Sequence, residues 1–150
     1  MDKNIQSKQG DKLIFLGLTL FLFGLAVGLF VQNMSNPRMA LSAHLEGVMN
    51  GMFLVILGLI WNQLILSSTA LKTTFWLVIY GTFVNLIAVI IAAMSGNGKM
   101  MPIAGGQEGT RAIEGLISFL LISLSLCMLA VCIIVLFGFY KHMKQKTVEQ

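Results

Sequence analysis

Four long stretches without a charged side chain dominate the sequence: Leu13 to Val31, Gly47 to Leu71, Thr73 to Gly98 and Gly115 to Tyr140. Each holds about 19 residues or more, and roughly 20 residues of helix cross a hydrocarbon core about 30 Å thick. In hydrocarbon, backbone N–H and C=O groups must find their partners within the protein, and a helix satisfies them within the stretch itself. The expected fold is an all-α membrane protein, a four-transmembrane-helix bundle forming one domain over residues 1–150. Composition agrees: 57% of the residues are hydrophobic and 11% charged, against about a quarter charged in a soluble domain.

The first stretch has a competing reading as a secretion signal, because Lys3, Lys8 and Lys12 precede it. It is longer than a usual signal core, and "VQNMSNP" after it lacks a small-x-small cleavage site. It reads as a span.

Basic residues set the expected orientation. Lys3, Lys8, Lys12, Lys72, Lys141, Lys144 and Lys146 fall on one side and Arg38, Lys99 and Arg111 on the other, seven against three. Both termini are expected in the cytoplasm, and the chain in a bacterial inner membrane. The net charge of +4 follows from this asymmetry, and the short mixed tails offer nothing to nucleic acid. Cys127 and Cys132 lie on one span outside any CxxC spacing and read as small hydrophobes.

Two connections are substantial, and both belong to the outer side. In "QNMSNPRMALSAH" the Asn36-Pro37 pair marks a turn and the start of a helix. The second, "SGNGKMMPIAGGQEGTRAIE", is too rich in glycine for a regular helix throughout.

At 100° per residue, His44, Gly47, Gly51 and Gly58 fall within about 60° of one another, so a histidine heads a strip of bare backbone. Gly17, Gly24 and Gly28 form a strip on span 1, and Gly81, Asn85, Ala88 and Ala92 one on span 3. Small residues of this kind allow close helix packing in lipid. The strip below His44 also suits one face of a flat cofactor, which makes Gly47 and Gly51 candidate contacts.

Polar residues inside a membrane are costly and face a bundle interior or a functional cavity. His44 is the one histidine available to the helical core, since His142 lies in the basic tail. A structural, hydrogen-bonded histidine and a metal ligand both remain open for it. Zinc needs three or four protein ligands that the chain does not supply, whereas haem needs only one, because the porphyrin provides the other four. An open sixth position suits Lewis-acid chemistry better than electron relay. Asn50 lies about 240° beyond His44 in phase, a separation of about 120°, placed to orient a substrate oxygen or to bond another helix. On span 3 the polar candidates are Tyr80 and Asn85. Glu46 reads as an acid near a helix N-terminus that could pair with Arg38. Arg38, Lys99 and Arg111 are candidates for haem propionates or ordinary interfacial anchors.

The stretch "NPRMALSAHLEGVMNGMFLVILGLIW" followed by "YGTFVNLIAVIIAAMSGNGKMMPIAGG" resembles the hydroxylaminobenzene mutase family, distantly similar to styrene oxide isomerase. The resemblance is strongest from Asn36 to Gly106 and looser over all four spans. It implies a small membrane-embedded isomerase that forms a trimer, with haem b held by one histidine, here His44 in the pattern His-x5-Asn-Gly. It also implies that Asn50 holds a substrate oxygen. In the isomerase branch a tyrosine and an aspartate on helix 3 assist; helix 3 here has no aspartate, leaving Tyr80 or Asn85 for that part. The implied reaction converts an aryl hydroxylamine into an aminophenol with haem iron as Lewis acid. An epoxide isomerase, a membrane haem-binding or redox-sensor protein, and an accessory protein without cofactor are the alternatives.

Overall fold

The computed structural model describes residues 3–105 and 107–148. Gly106, the last residue of the stretch that carries the resemblance, lies outside them, as do the side chains of Lys3 and Val148. Four long helices follow in order: α1 (Lys3–Leu29), α2 (Pro37–Ile60), α3 (Ser68–Ser95) and α4 (Arg111–Val148). All four are long and apolar enough to cross a membrane. Among the described residues there is no β-strand, only an isolated bridge between Asn97 and Gln107.

The helix starts are built from local chemistry. Pro37 occupies the first turn of α2, where its missing N–H costs nothing, and the Asn36 side-chain oxygen accepts the Met39 N–H at 3.2 Å. Ser67 does the same for α3 by accepting the Ala70 N–H at 3.2 Å. That helix ends at Gly96, whose φ of 73° is the left-handed conformation that glycine adopts freely. Inside the helices Thr74 and Thr82 return their hydroxyl protons to carbonyls one turn back, so neither leaves an unpaired donor in hydrocarbon.

α2 is the central helix. α1 lies along one side of it, α3 along another, and α4 packs chiefly on α3. The array is thus open between α1 and α4 rather than a closed bundle. Its core runs through Leu20, Leu54, Leu57, Trp61, Leu71 and Val78, with Trp61 edge-on to Phe75 at 6.3 Å. The Trp61 indole N–H donates to the Gln9 side-chain oxygen at 3.2 Å, so the polar tip of a large buried ring is satisfied.

The α1–α2 contact is made of glycine against glycine. A Cβ built on Gly17 would stand 2.7 Å from the Gly51 carbonyl oxygen, and one on Gly24 would stand 2.7 Å from the Gly47 carbonyl carbon. Small residues let backbones touch and gain dispersion energy where lipid supplies no hydrophobic drive. Gly47 and Gly51 are therefore fully occupied by α1. The expectation that their strip would form a wall for a flat cofactor is corrected within one chain, because a second helix already fills it.

Asn36 also ties the α1–α2 and α3–α4 loops together. Its backbone N–H donates to the Ala93 carbonyl at 2.9 Å, and its side-chain amide donates to the Ala104 carbonyl at 3.2 Å. The loop after α3 is thereby held over the start of α2.

Candidate active site

His44 sits on the α1 side of α2. Its Nδ1 is 2.8 Å from the Gly24 carbonyl oxygen; a carbonyl only accepts, so Nδ1 carries the proton. The ring lies over Gly28, where a Cβ would come within 2.7 Å of Nδ1. Glycine at 28 thus makes the room and the Gly24 carbonyl fixes the tautomer. In the neutral ring Nε2 is then the nitrogen with the lone pair, the form in which imidazole binds a metal.

Glu46, ten residues into α2, faces α3 rather than Arg38. Its carboxyl is within hydrogen-bonding reach of the Asn85 side chain, while its Oε2 is enclosed and has no partner. Asn50 stands one turn further along the same face, about 40° from Glu46 in phase, and its Nδ2 is likewise buried and unpartnered. Buried polar atoms in folded proteins are nearly always paired. Among the described residues Glu46 Oε2, Asn50 Nδ2 and Glu114 Oε2 are buried without a partner, and the first two share one face of α2.

Asn85, and not Tyr80, is therefore the helix 3 residue beside this pair. Tyr80 points to α4, where its hydroxyl lies 2.7 Å from Ser123 Oγ. The Ser123 hydroxyl proton is spent on the Leu120 carbonyl at 3.0 Å, so Tyr80 is the donor. Glu46 and Asn50 are four residues apart, one helical turn.

At the N-terminal end of α2 Arg38 lines two adjoining cavities. One of about 470 Å³ also involves Asn36, Asn97, Gln107 and Glu108. The other, of about 480 Å³, is formed with Ser42, Met100, Met101 and Pro102, so it brings the loop motif to the start of α2. Arg111 is exposed at the start of α4 and lines neither cavity.

The described residues contain no group of three or more His, Cys, Asp or Glu side chains poised around one point. A metal at His44 would bring its remaining ligands with it, as the iron of a porphyrin does. In phase, His44 is about 160° from Glu46 and about 120° from Asn50. One chain thus presents a free imidazole nitrogen on one side of α2 and a polar pair on another.

Comparison with known proteins places these features in a family. A family model described as styrene oxide isomerase matches residues 9–140. The hydroxylaminobenzene mutase HabB of Ectopseudomonas oleovorans is 54% identical over 129 residues, covering 85% of this chain and 79% of that protein. HabA of the same organism is 46% identical over 124 residues, covering 81% of this chain and 92% of its own. No solved structure matches the chain. With a model match over nearly its whole length and two mutases this similar, the chain belongs to the styrene oxide isomerase family and is an isomerase of the mutase kind.

Proposed function

We propose that the protein converts an aryl hydroxylamine into an aminophenol inside the membrane. The observation that carries this reading is the 54% identity to a hydroxylaminobenzene mutase over most of the chain. The family model keeps an epoxide isomerase of the styrene oxide type as the second reading.

The residues present fit haem b. His44 Nε2 would hold the iron, and Arg38 and Arg111 would meet the propionates at the outer surface. Bound there, ferric haem supplies a Lewis acid for a substrate oxygen. The chain's own residues do the rest. The Asn50 amide donates to that oxygen and orients it, and Asn85 holds the Glu46 carboxyl in place. Apolar helix walls accept the aromatic ring and keep bulk water from the electron-poor intermediate. Because His44 and Asn50 face different sides of α2, the complete site is assembled between copies, with the imidazole of one beside the polar face of the next. A homotrimer with both termini in the cytoplasm, in a bacterial inner membrane, is the assembly we infer.

The test is direct. Detergent-purified protein incubated with phenylhydroxylamine is expected to yield an aminophenol without added reductant or oxidant, and to show a Soret band. Turnover of styrene oxide alone would favour the second reading. A colourless preparation with neither activity would sink both.

The hydrogen bond from Tyr80 to Ser123 joins α3 to α4 away from the polar pair. Tyr80→Phe is therefore expected to cost about 1 kcal/mol of stability and to leave the rate of aminophenol formation within about threefold. A loss of about 100-fold, the size expected of a group acting on the reacting atoms, would return Tyr80 to the site.

A further inference from the structure

Three of the lysines that set the charge asymmetry share one cavity. On α1, Ile5, Lys8 and Lys12 recur three and four positions apart, and on α3 Ser68, Lys72 and Trp76 recur every four, so each set forms one stripe along its helix. The two stripes line a cavity of about 500 Å³, with Gln9 and Phe75 completing its walls. That volume lies in the range of sites for drug-sized ligands, about 300–1,000 Å³. α1 and α3 both pack on α2 and touch each other little, so the cavity is the cleft left between them.

The polar half of this cleft offers only donors. Three ammonium groups line it and no carboxylate does. Among the described residues no hydrogen bond or ion pair engages Lys8, Lys12 or Lys72. The Gln9 side-chain oxygen is committed to the Trp61 indole N–H at 3.2 Å, which leaves its amide protons as further donors. Ser68 stands in the first turn of α3, where the helix dipole is positive. A topological role needs positive charge near a helix end and is indifferent to its phase. It explains Lys141, which lies over the Phe137 ring of its own helix at 4.4 Å, but not three lysines gathered from two helices around one space.

The other half is apolar. Phe75 meets Trp76 edge-on at 5.4 Å, Trp76 is 61% exposed, and Ile5 adds an aliphatic group. Lys8 and Lys12 precede the uncharged run of α1, and Lys72 that of α3. The cleft therefore sits at the level of lipid headgroups, where tryptophan rings collect. A ligand with an anionic head and an apolar chain engages both halves, whereas free phosphate engages one. We propose that this cleft binds an anionic phospholipid. Its phosphate lies among Lys8, Lys12 and Lys72, the start of an acyl chain runs along Trp76, and the lipid bridges α1 to α3.

Thermal unfolding of the detergent-purified protein tests this against added phosphatidylglycerol, phosphatidylcholine of the same chains, and inorganic phosphate. Phosphatidylglycerol at about 100 times its Kd is expected to raise the melting temperature by about 5 °C or more, and the other two to leave it unchanged. No rise, or an equal rise with phosphatidylcholine, overturns the proposal; an equal rise with inorganic phosphate overturns the lipid as occupant. The triple variant Lys8→Gln, Lys12→Gln, Lys72→Gln is expected to bind phosphatidylglycerol about 10-fold or more weakly. Replacing Lys141, Lys144 and Lys146 with glutamine removes the same charge and should leave binding intact. Equal losses in the two triple variants overturn the site. Should the first variant fail to insert, wild-type fluorescence decides, because Trp61 is fully buried and Trp76 is not. Brominated-chain phosphatidylglycerol is expected to quench Trp76 at an about 10-fold lower mole fraction than brominated-chain phosphatidylcholine, and equal quenching overturns the proposal.

Discussion

Replacing His44 with alanine is expected to abolish aminophenol formation and to remove the Soret band, with the helical fold retained. The reason lies in how the imidazole is held. Its Nδ1 proton is committed to the Gly24 carbonyl at 2.8 Å, so the ring cannot turn without breaking a hydrogen bond in a medium that offers no replacement. Such a partner orients a metal-binding imidazole and raises its basicity, and its loss typically costs 10–100-fold in metal affinity. Gly28→Ala tests the same point without removing the ligand. The added Cβ would stand 2.7 Å from Nδ1 and 3.0 Å from Cε1, so the ring must shift off the carbonyl. Haem loading in Gly28→Ala is expected to fall by about 10-fold or more, with partial recovery at raised haem concentration. Full haem content and unchanged turnover in His44→Ala would refute the ligand assignment outright.

The spans were legible because hydrocarbon imposes a length and disfavours charge, and each uncharged run overlaps one long helix, although the second, Gly47 to Leu71, overshoots α2, which spans Pro37–Ile60, and runs into the start of α3. The helix ends were not. α1 begins at Lys3 and α4 runs on to Val148, since a helix leaving the membrane continues through charged residues as long as its own hydrogen bonds persist. Hydropathy marks the hydrocarbon, not the helix. The Asn36-Pro37 start was readable from capping chemistry.

Helical phase gave each glycine strip but not its partner. The line of His44, Gly47 and Gly51 was compatible with a flat cofactor until α1 was seen to bring Gly17, Gly24 and Gly28 against it. Glu46 was obscured for a related reason. Read along the chain, its natural neighbour is Arg38; its actual neighbour is Asn85, on another helix. Tyr80 and Asn85 lie about 140° apart on α3, and only the position of α4 decides which of them turns to α2. A single sequence carries no information about such pairings, and the site depends on them.

The glycine contact between α1 and α2 carries the second large expectation. Gly24→Ala is expected to destabilise the protein by about 3 kcal/mol or more, the upper end of what overpacking usually costs. Every atom that its Cβ would meet is backbone: Val48 N at 2.6 Å, Gly47 C at 2.7 Å and Gly47 Cα at 3.0 Å. No rotamer change can relieve that, so the two helices must part. Their separation would also loosen Gly17 against Gly51 and Gly10 against Gly58, which lie on the same seam. The comparison is Gly115→Ala on α4, where a Cβ meets nothing within 4 Å. There alanine should be neutral or stabilise by roughly 0.5–1 kcal/mol, because glycine inside a helix loses more conformational freedom on folding. Thermal unfolding of the two variants in one detergent checks the pair. Equal melting temperatures would mean that α1 does not approach α2 this closely. The hydrogen bond from His44 to the Gly24 carbonyl would then lose its basis as well, because the helix carrying that carbonyl is held in place by this seam.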